Sequence, residues 1–465
     1  MTETFSRIAR ASSLGLAIAL TGCRSYEPTP LDLPAHRASW ELRAPDDEPV
    51  LEYVARDDTL DTPIDFDVAD GISLPEAELI ALVYNPDLRV ARLRAGVARA
   101  GAEHAGTWDD PELSIDVLRI TESVPDPWIV GPSLAFTIPI SGRLEAEKDR
   151  ADAALRAELS RLAEAEWDVR MDVRRAWLRY SASVRRAEQL ERLVDSVGSL
   201  LDSADRLADA GELPRTEAAL FRIEHLGLRR DVARARGSAE EAELNLRGLL
   251  GLSPAAPLEM LPTLSAPKID ASQSIDTLVE QNLTLARLRD EYDIAEQTLR
   301  REIRKQYPDL VIGPQYESDE GQSRIGFLGA IPIPIFNANA RGIAEAEAER
   351  ELARAVFETS FERLAGAFEA ARRRHELNRR QRELFETELA PIIDTQLGDA
   401  RRLLELGEGR SLVLLESLSR AGLARTQLIE AALDEALALV DLAALLGPNP
   451  PRPTHTPNVG EEVTP

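Results

Sequence analysis

One cysteine, three methionines and five histidines in 465 residues leave little reactive side-chain chemistry. A lone cysteine excludes a disulfide framework. The histidines, His36, His104, His225, His375 and His455, fall at no spacing that a metal site would use, and no methionine cluster substitutes for them. A Gly-rich phosphate loop, a nucleophile elbow and an HExxH segment are all missing, so an enzyme reading has no starting point and no cofactor is expected. Cations are also short, with 55 Lys and Arg against 81 Asp and Glu and a net charge of -26. That balance opposes binding to nucleic acid or to anionic headgroups through simple charge. Aromatics make up only 5%. Ala, Leu, Glu and Arg dominate instead, which is the profile of long helices and coiled coils rather than of several globular cores.

Long apolar runs are scarce too. Arg7 and Arg10 precede Ser13-Leu14-Gly15-Leu16-Ala17-Ile18-Ala19-Leu20, which is too short for a membrane-spanning helix and fits the apolar centre of a secretory signal. The run ends at Leu20-Thr21-Gly22-Cys23, which resembles a bacterial lipoprotein signal. The resemblance implies a signal peptide over 1–22 and a lipid on Cys23, the mature N-terminus. The alternative is a plain signal with an incidental cysteine. Arg24 follows, not the aspartate associated with inner-membrane retention, so an outer-membrane anchor extending into the periplasm is expected. Several acyl chains, at about 0.8 kcal/mol per buried CH₂, would hold it durably. Residues 23–70, rich in Pro, Asp and Glu, are expected to form an extended leader, and 448–465 a disordered tail.

The chain repeats itself, and the repeat says more than any single residue. Asn85-Pro86-Asp87-Leu88 returns as Asn282-Leu283-Thr284-Leu285, and Trp108-Asp109-Asp110-Pro111-Glu112-Leu113, shortened, as Tyr307-Pro308-Asp309-Leu310. Phe136-Thr137-Ile138-Pro139-Ile140 returns within Ile331-Pro332-Ile333-Pro334-Ile335-Phe336, and Ala210-Gly211-Glu212 as Leu406-Gly407-Glu408. Order and offset are kept throughout. The period far exceeds the roughly 20–50 residues of a solenoid unit, so this is a duplicated half-molecule. The halves span 71–251 and 271–447, joined by a linker over 252–270.

Each half reads helix, strand, strand, helix. Ser73-Leu74-Pro75-Glu76 opens a helix running to about Thr107, with a break at Asn85-Pro86. Alternation then marks strands at about 112–120 and 132–140, and in the second half at about 309–317 and 324–335. Ile325, Phe327, Gly329, Ile331, Ile333 and Ile335 face one way, and Arg324, Gly326, Leu328 and Ala330 mostly the other. Some ten residues of this pattern match one crossing of a transmembrane barrel, or a small soluble sheet with one face on helices. From about Arg143 to Asp209 there is no proline, and apolar residues recur at spacings of three and four. Such a helix reaches roughly 100 Å, far beyond a globular core. Ala210-Gly211-Glu212-Leu213-Pro214 turns it, and a second helix returns to Leu250 before Gly251. The second hairpin covers about 341–446 and turns at Gly407-Glu408-Gly409.

Four strands cannot close a barrel, and an open edge in lipid leaves backbone groups unpaired at several kcal/mol each. If the strands span a membrane, several copies must close together. Taken with the duplicated order, the Asn85-Pro86-Asp87-Leu88 helix, the Pro111-Glu112-Leu113 strand entry and the Ile331-to-Asn337 exit leading to Arg341-Gly342, this chain resembles the outer-membrane efflux proteins of the TolC family. The Leu20-to-Cys23 signal, the Trp108-to-Leu113 segment and the proline-rich strand exit are most similar to its lipoprotein and heavy-metal-efflux branches. The resemblance implies a mostly α fold with a small β part: long coiled-coil hairpins and a shared twelve-stranded barrel in a homotrimer. It implies a passive conduit docked to a periplasmic membrane-fusion adaptor and an inner-membrane efflux pump. The adaptor would meet the tips at Gly211 and Glu212, then Gly407, Glu408, Arg410 and Ser411. Pro391, which has no counterpart in Arg192-Leu193-Val194-Asp195-Ser196, is expected to kink the second outbound helix. Beyond it, Asp394, Asp399 and Arg402 are candidates for a gate. A heavy-metal-exporting relative and a periplasmic coiled-coil scaffold lipoprotein are the alternatives, the metal one weakened by the missing Met and His clusters.

The leader yields a direct test. Radiolabelled fatty acid should enter the wild type and not Cys23→Ser; equal labelling of both would refute the anchor.

Overall fold

The computed structural model describes residues 25–56, 66–122, 124, 127–264, 273–319, 322–406 and 410–448. Cys23, the signal segment, Gly407, Glu408 and the tail lie outside the described residues. The chain divides into two units, Met1–Arg43 and Ala44–Pro465. The first contains α1 (Leu33–Glu41), where the Asp32 carboxylate accepts from the Ala35 N–H at 2.9 Å and Pro34 sits in the first turn. The second opens with α2 (Glu48–Arg56). These helices correct the expected extended leader: local capping and Pro at a helix start outweigh a polar composition.

The first repeat begins with α3 (Leu74–Tyr84) and α4 (Pro86–Glu103). Ser73 and Glu76 form a reciprocal capping box, with the Ser73 N–H and hydroxyl donating to Glu76 at 2.7 and 2.6 Å. The break between the helices is a clasp. The Asn85 carbonyl oxygen accepts from the Asp87 N–H at 2.9 Å, while its amide donates to the Leu249 carbonyl at 2.9 Å. That carbonyl belongs to the end of the return helix. Asn282 does the same in the second repeat, accepting from the Leu285 N–H at 2.8 Å and donating to the Leu445 carbonyl at 2.7 Å. A glycine completes each clasp. A Cβ on Gly251 would lie 2.0 Å from the Tyr84 carbonyl oxygen, and one on Gly447 would lie 2.3 Å from that of Gln281. Both glycines also have positive φ, 72° and 81°.

Two strands follow, β1 (Glu112–Arg119) and β2 (Trp128–Ile138), and then α5 (Arg143–Asp209), 67 residues without a break. After the tip, α6 (Arg215–Leu249) returns antiparallel along it. The second repeat has α7 (Ile275–Gln281), α8 (Leu283–Arg304), β3 (Leu310–Asp319), β4 (Gln322–Ala330), α9 (Ala340–Leu384), α10 (Ala390–Glu405) and α11 (Ser411–Leu446). Between α9 and α10 lies a π-helical turn, Phe385–Leu389. Among the described residues no helix is long and apolar enough to cross a membrane.

The packing is broadest where α3, α5 and α6 meet. Trp177 is fully buried there with Leu82, Leu88, Val173 and Leu246, and its indole N–H donates to Thr263 at 3.2 Å. The segment after Gly251, expected as a linker, joins this core. Leu252, Ala256 and Met260 are buried, and Ile72 bridges to Met260. Their apolar side chains had a hydrophobic face to cover, which composition alone does not reveal. Elsewhere the helices pack in thin clusters of small and aliphatic residues, as at Val197, Leu397, Leu418 and Ala421.

At the junction of helices and sheet, ion pairs fix the chain direction. Arg143 bridges Asp109 and Asp309, one from each repeat. Gly142 and Asn339, the residues that open α5 and α9, both take the left-handed conformation. Asn339 is held by Glu302. Its amide donates to the Glu302 carboxylate at 2.9 Å and to the Glu302 carbonyl at 2.8 Å. Lys305 and Arg301 donate to the same carboxylate at 2.7 and 2.8 Å. Gly342 leaves the room, since a Cβ there would sit 2.8 Å from Glu302 Oε2.

Burial acts to raise the Glu302 pKa, but donation from Lys305, Asn339 and Arg301 outweighs it and lowers the pKa to about 2. A depressed carboxylate stabilises the fold above its ordinary pKa, and that stability is lost as pH falls from about 4.5 towards 2. Glu302→Gln should therefore destabilise the protein at neutral pH by about 1–3 kcal/mol and remove part of its acid sensitivity between those limits. Thermal melts of both proteins from pH 7 to pH 3 check this; parallel curves would contradict it.

Candidate functional site

The four strands form one antiparallel sheet in the order β1-β2-β3-β4, so the two repeats join at β2 and β3. Register sorts the side chains cleanly. Leu113, Ile115 and Val117 lie opposite Leu134, Pro132 and Val130, and Phe136 and Ile138 lie opposite Ile312 and Leu310. Pro314 and Tyr316 lie opposite Phe327 and Ile325. All of these share one face. The other carries Ser114 with Ser133, Gln315 with Gly326, and Glu317 with Arg324, the last pair 3.6 Å apart. The apolar face is bare: Ile325 is 84% exposed and Phe327 87%. Ordinary soluble sheets bury such a face, and the helices here do not cover it. At the seam of the repeats Gly313 lets β3 press on β2, for its Cβ would fall 1.7 Å from the Leu134 carbonyl oxygen.

Within one chain β1 and β4 each pair on one side only. The second strand of the second repeat is shorter than its alternation suggests. It ends at Ala330, not near Ile335, because Pro332 and Pro334 have no N–H to give to a ladder. Ile331, Ile333 and Ile335 still project into solvent.

The opposite end of the molecule holds the predicted tip and gate residues. After α5, the Glu212 and Leu213 N–H groups both donate to the Leu207 carbonyl, at 2.9 and 3.1 Å, which satisfies the helix end. Gly211 has φ 76°, with nothing within 4 Å of a built Cβ, so backbone conformation rather than crowding selects glycine. Gly211, Glu212 and Arg410 are exposed, and Ser411 is half-buried at the start of α11.

Pro391 does not bend a plain α-helix. The chain widens into the Phe385–Leu389 turn first, and α-helix resumes at Ala390. A proline clashes with the carbonyl four residues back, here Thr387, and a π turn displaces that carbonyl. The sequence signal was the proline itself; the form of the accommodation was not visible. Asp394 pairs across the hairpin with Arg425 at 3.2 Å. Asp399 and Arg402 are exposed and make no ion pair among the described residues, so the structure brings only one of the gate candidates into a latch. By contrast α5 runs straight through the equivalent stretch. Sequence reasoning also missed Glu302, although a lone carboxylate among Arg301, Arg304 and Lys305 was a usable sign. Among the described residues no group of three His, Cys, Asp or Glu side chains is placed to hold a metal ion.

Residues 80–252, essentially the first repeat, match the outer membrane efflux protein family. The fold extends the likeness over both repeats. The crystal structure of CusC, studied for folding and transmembrane channel formation, superposes with a TM-score of 0.69 at 17% identity, covering 80% of this chain and 92% of that one. The outer membrane protein VceC of Vibrio cholerae gives 0.68 at 17% identity, covering 80% and 96%. The outer membrane channel MtrE of Neisseria gonorrhoeae, in its open state, gives 0.66 at 17% identity, covering 80% and 89%. The fold is thus that of outer-membrane efflux channels, and the resemblance read from the sequence is shown in both ways. No curated protein sequence matches the chain.

The two faces of the sheet make opposite demands. Phe327→Arg places a charge on the apolar face and should cost about 2–4 kcal/mol at mid-bilayer, while Leu328→Arg on the other face should be mild. Yield of assembled protein in outer-membrane fractions measures this, and equal tolerance would mean a soluble sheet.

Proposed function

We propose that the protein is the outer-membrane channel of a tripartite efflux system, a passive conduit for small molecules or ions. Three copies close a barrel from their four-stranded sheets, and the helical hairpins line a coiled-coil tunnel reaching into the periplasm. The observation that carries this reading is the sheet: apolar on one face, polar on the other, open at both edges, and mounted on helices of roughly 100 Å. A periplasmic scaffold would need the helices and not the sheet. The lipid on Cys23 anchors the chain, with 1–22 removed as a signal peptide.

A periplasmic adaptor meets the tips at Gly211, Glu212, Gly407, Glu408, Arg410 and Ser411, and an inner-membrane pump upstream selects the cargo. The aperture is asymmetric. The straight α5 serves as a post, and the helix interrupted at the π turn moves, with Pro391 fixing where it bends and Asp394, latched to Arg425, together with Asp399 and Arg402 at the opening. A π turn is a common place for a helix to flex at a functional site.

Single-channel recording tests both parts. Purified protein in a planar bilayer should form discrete pores; their absence from a correctly assembled oligomer would refute the conduit. Asp394→Ala should raise conductance by unlatching the hairpin, whereas Asp202→Ala on the straight helix should not. Identical behaviour of the two would sink the asymmetric gate.

A further inference from the structure

The contact between the two repeats inside one chain is a template for the contact between chains. Along α5, Arg161 pairs with Glu291 of α8 at 2.7 Å and Arg186 pairs with Glu430 of α11 at 3.1 Å. Further α5 groups reach the same two helices: Ser160 bonds to Asp290, Glu164 pairs with Arg287, Arg156 pairs with Asp293 at 2.8 Å and Arg175 with Asp441 at 3.0 Å. So the first repeat's outbound helix lies between its own partners and two helices of the second repeat. The second repeat's outbound helix, α9, has its own partners α8 and α11 but nothing from a following repeat.

Fixed landmarks say what that missing neighbour offers. The shift that carries Gly142 onto Asn339, the two left-handed helix starts, carries Arg161 onto Glu358 and Arg186 onto Glu383. The shift that carries Asn282 back onto Asn85, the two clasps, carries Glu291 onto Arg94. The shift that carries Gly447 back onto Gly251 carries Glu430 onto Arg234. Of the five ion pairs that join α5 to the second repeat, these two return with their signs exchanged. Two more contacts return as apolar ones: Ser160 and Asp290 become Phe357 and Leu93, and Glu164 and Arg287 become Phe361 and Val90, while Arg156 with Asp293 and Arg175 with Asp441 lose their charge pairing as Ala353 with Gly96 and Arg372 with Asn245.

The surfaces involved are open in the single chain. Arg94, Arg234 and Glu358 are exposed and make no ion pair among the described residues, and Glu383 has only its own helix's Arg379. Val90, Leu93 and Val97, about one helical turn apart, are 48%, 64% and 76% exposed and make an apolar stripe along α4.

We propose that α9 of one copy docks against α4 and α6 of a second copy in the register that sets Glu358 against Arg94 and Glu383 against Arg234, with Phe357 on Leu93 and Phe361 on Val90. The occupant is a second copy of this chain, and the proposal rests on the oligomeric conduit reading above. Sign exchange makes the two seams non-interchangeable. A first repeat set against another first repeat would place Arg161 on Arg94 and Arg186 on Arg234, so the mispaired ring is penalised and the alternating one is favoured. Applied to the sheet, the same shifts turn Phe136 opposite Ile312 into Ile333 opposite Ile115, and Ile138 opposite Leu310 into Ile335 opposite Leu113. That gives the isoleucines beyond Ala330 a partner strand.

Charge reversal in the full-length protein tests the register. Glu358→Arg with Glu383→Arg should lower the ratio of oligomer to monomer in detergent by about tenfold or more, because like charges then meet at every seam between copies while the seam inside each chain is unchanged. Adding Arg94→Glu and Arg234→Glu should restore it to about the wild-type ratio, which a folding defect would not allow. Val90→Cys with Phe361→Cys should cross-link copy to copy with a short thiol linker, and Val90→Cys with Ala365→Cys, one turn away, much less; the parent chain with only Cys23 sets the background. An intact oligomer that ignores the reversal, or cross-links better in the shifted pair, overturns the register and leaves the conduit standing. A wild type that forms no oligomer in membranes overturns both.

Discussion

Two asparagines hold the architecture together. A helical hairpin of this length has no globular core to fix where it begins or ends, and a slip of one turn in either helix would misplace its tip. Asn85 and Asn282 remove that freedom by capping the start of one helix while binding the last turn of the returning one. Each N-cap is worth about 1 kcal/mol locally, but its larger effect is to tie both ends of a hairpin to one point. Gly251 and Gly447 are part of the same device, since any side chain there would strike the backbone preceding the asparagine.

From those fixed points the long helices need little from packing except continuity. Their clusters are thin, built from Ala, Leu and Val, and much of each surface is left to partners. Asp and Glu outnumber Lys and Arg overall, yet each cross-helix ion pair named above uses an arginine, whose planar fork binds carboxylates with defined geometry. Individually such surface pairs add little stability. Repeated along a seam, and with their signs chosen, they decide which helix lies beside which.

The duplication is imperfect in two places. Both repeats share clasps, left-handed helix starts and glycine stops, but only the second carries Pro391 and its π turn. Its second strand also stops before two prolines, Pro332 and Pro334, where that of the first repeat stops before one, Pro139. These departures fall towards the two ends of the hairpin, one on the side of its tip and one at the exit from the sheet. Between them sit the clasps, which both repeats share, and the broad Trp177 core, which belongs to the first repeat alone among the described residues.

Periodicity, helix punctuation and the repeat itself were properties of the sequence alone. Ser73, Asn85, Gly211, Gly251 and the alternation from Ile325 to Phe327 act through local geometry, so helices, turns and the sheet's two faces were legible without coordinates. The end of β4 was not, because prolines two residues apart cancel an alternation that otherwise continues. The buried segment from Leu252 to Met260 was missed because a short, proline-broken run without periodicity does not show a hydrophobic groove waiting on α3 and α5. Glu302 and Asn339 meet across 37 residues, and no local pattern encodes their contact. Tertiary structure alone decided which repeat faces which along α5, and therefore where the signs of charge must alternate. That is a matter of which surfaces are brought together in space, and sequence neighbours do not determine it.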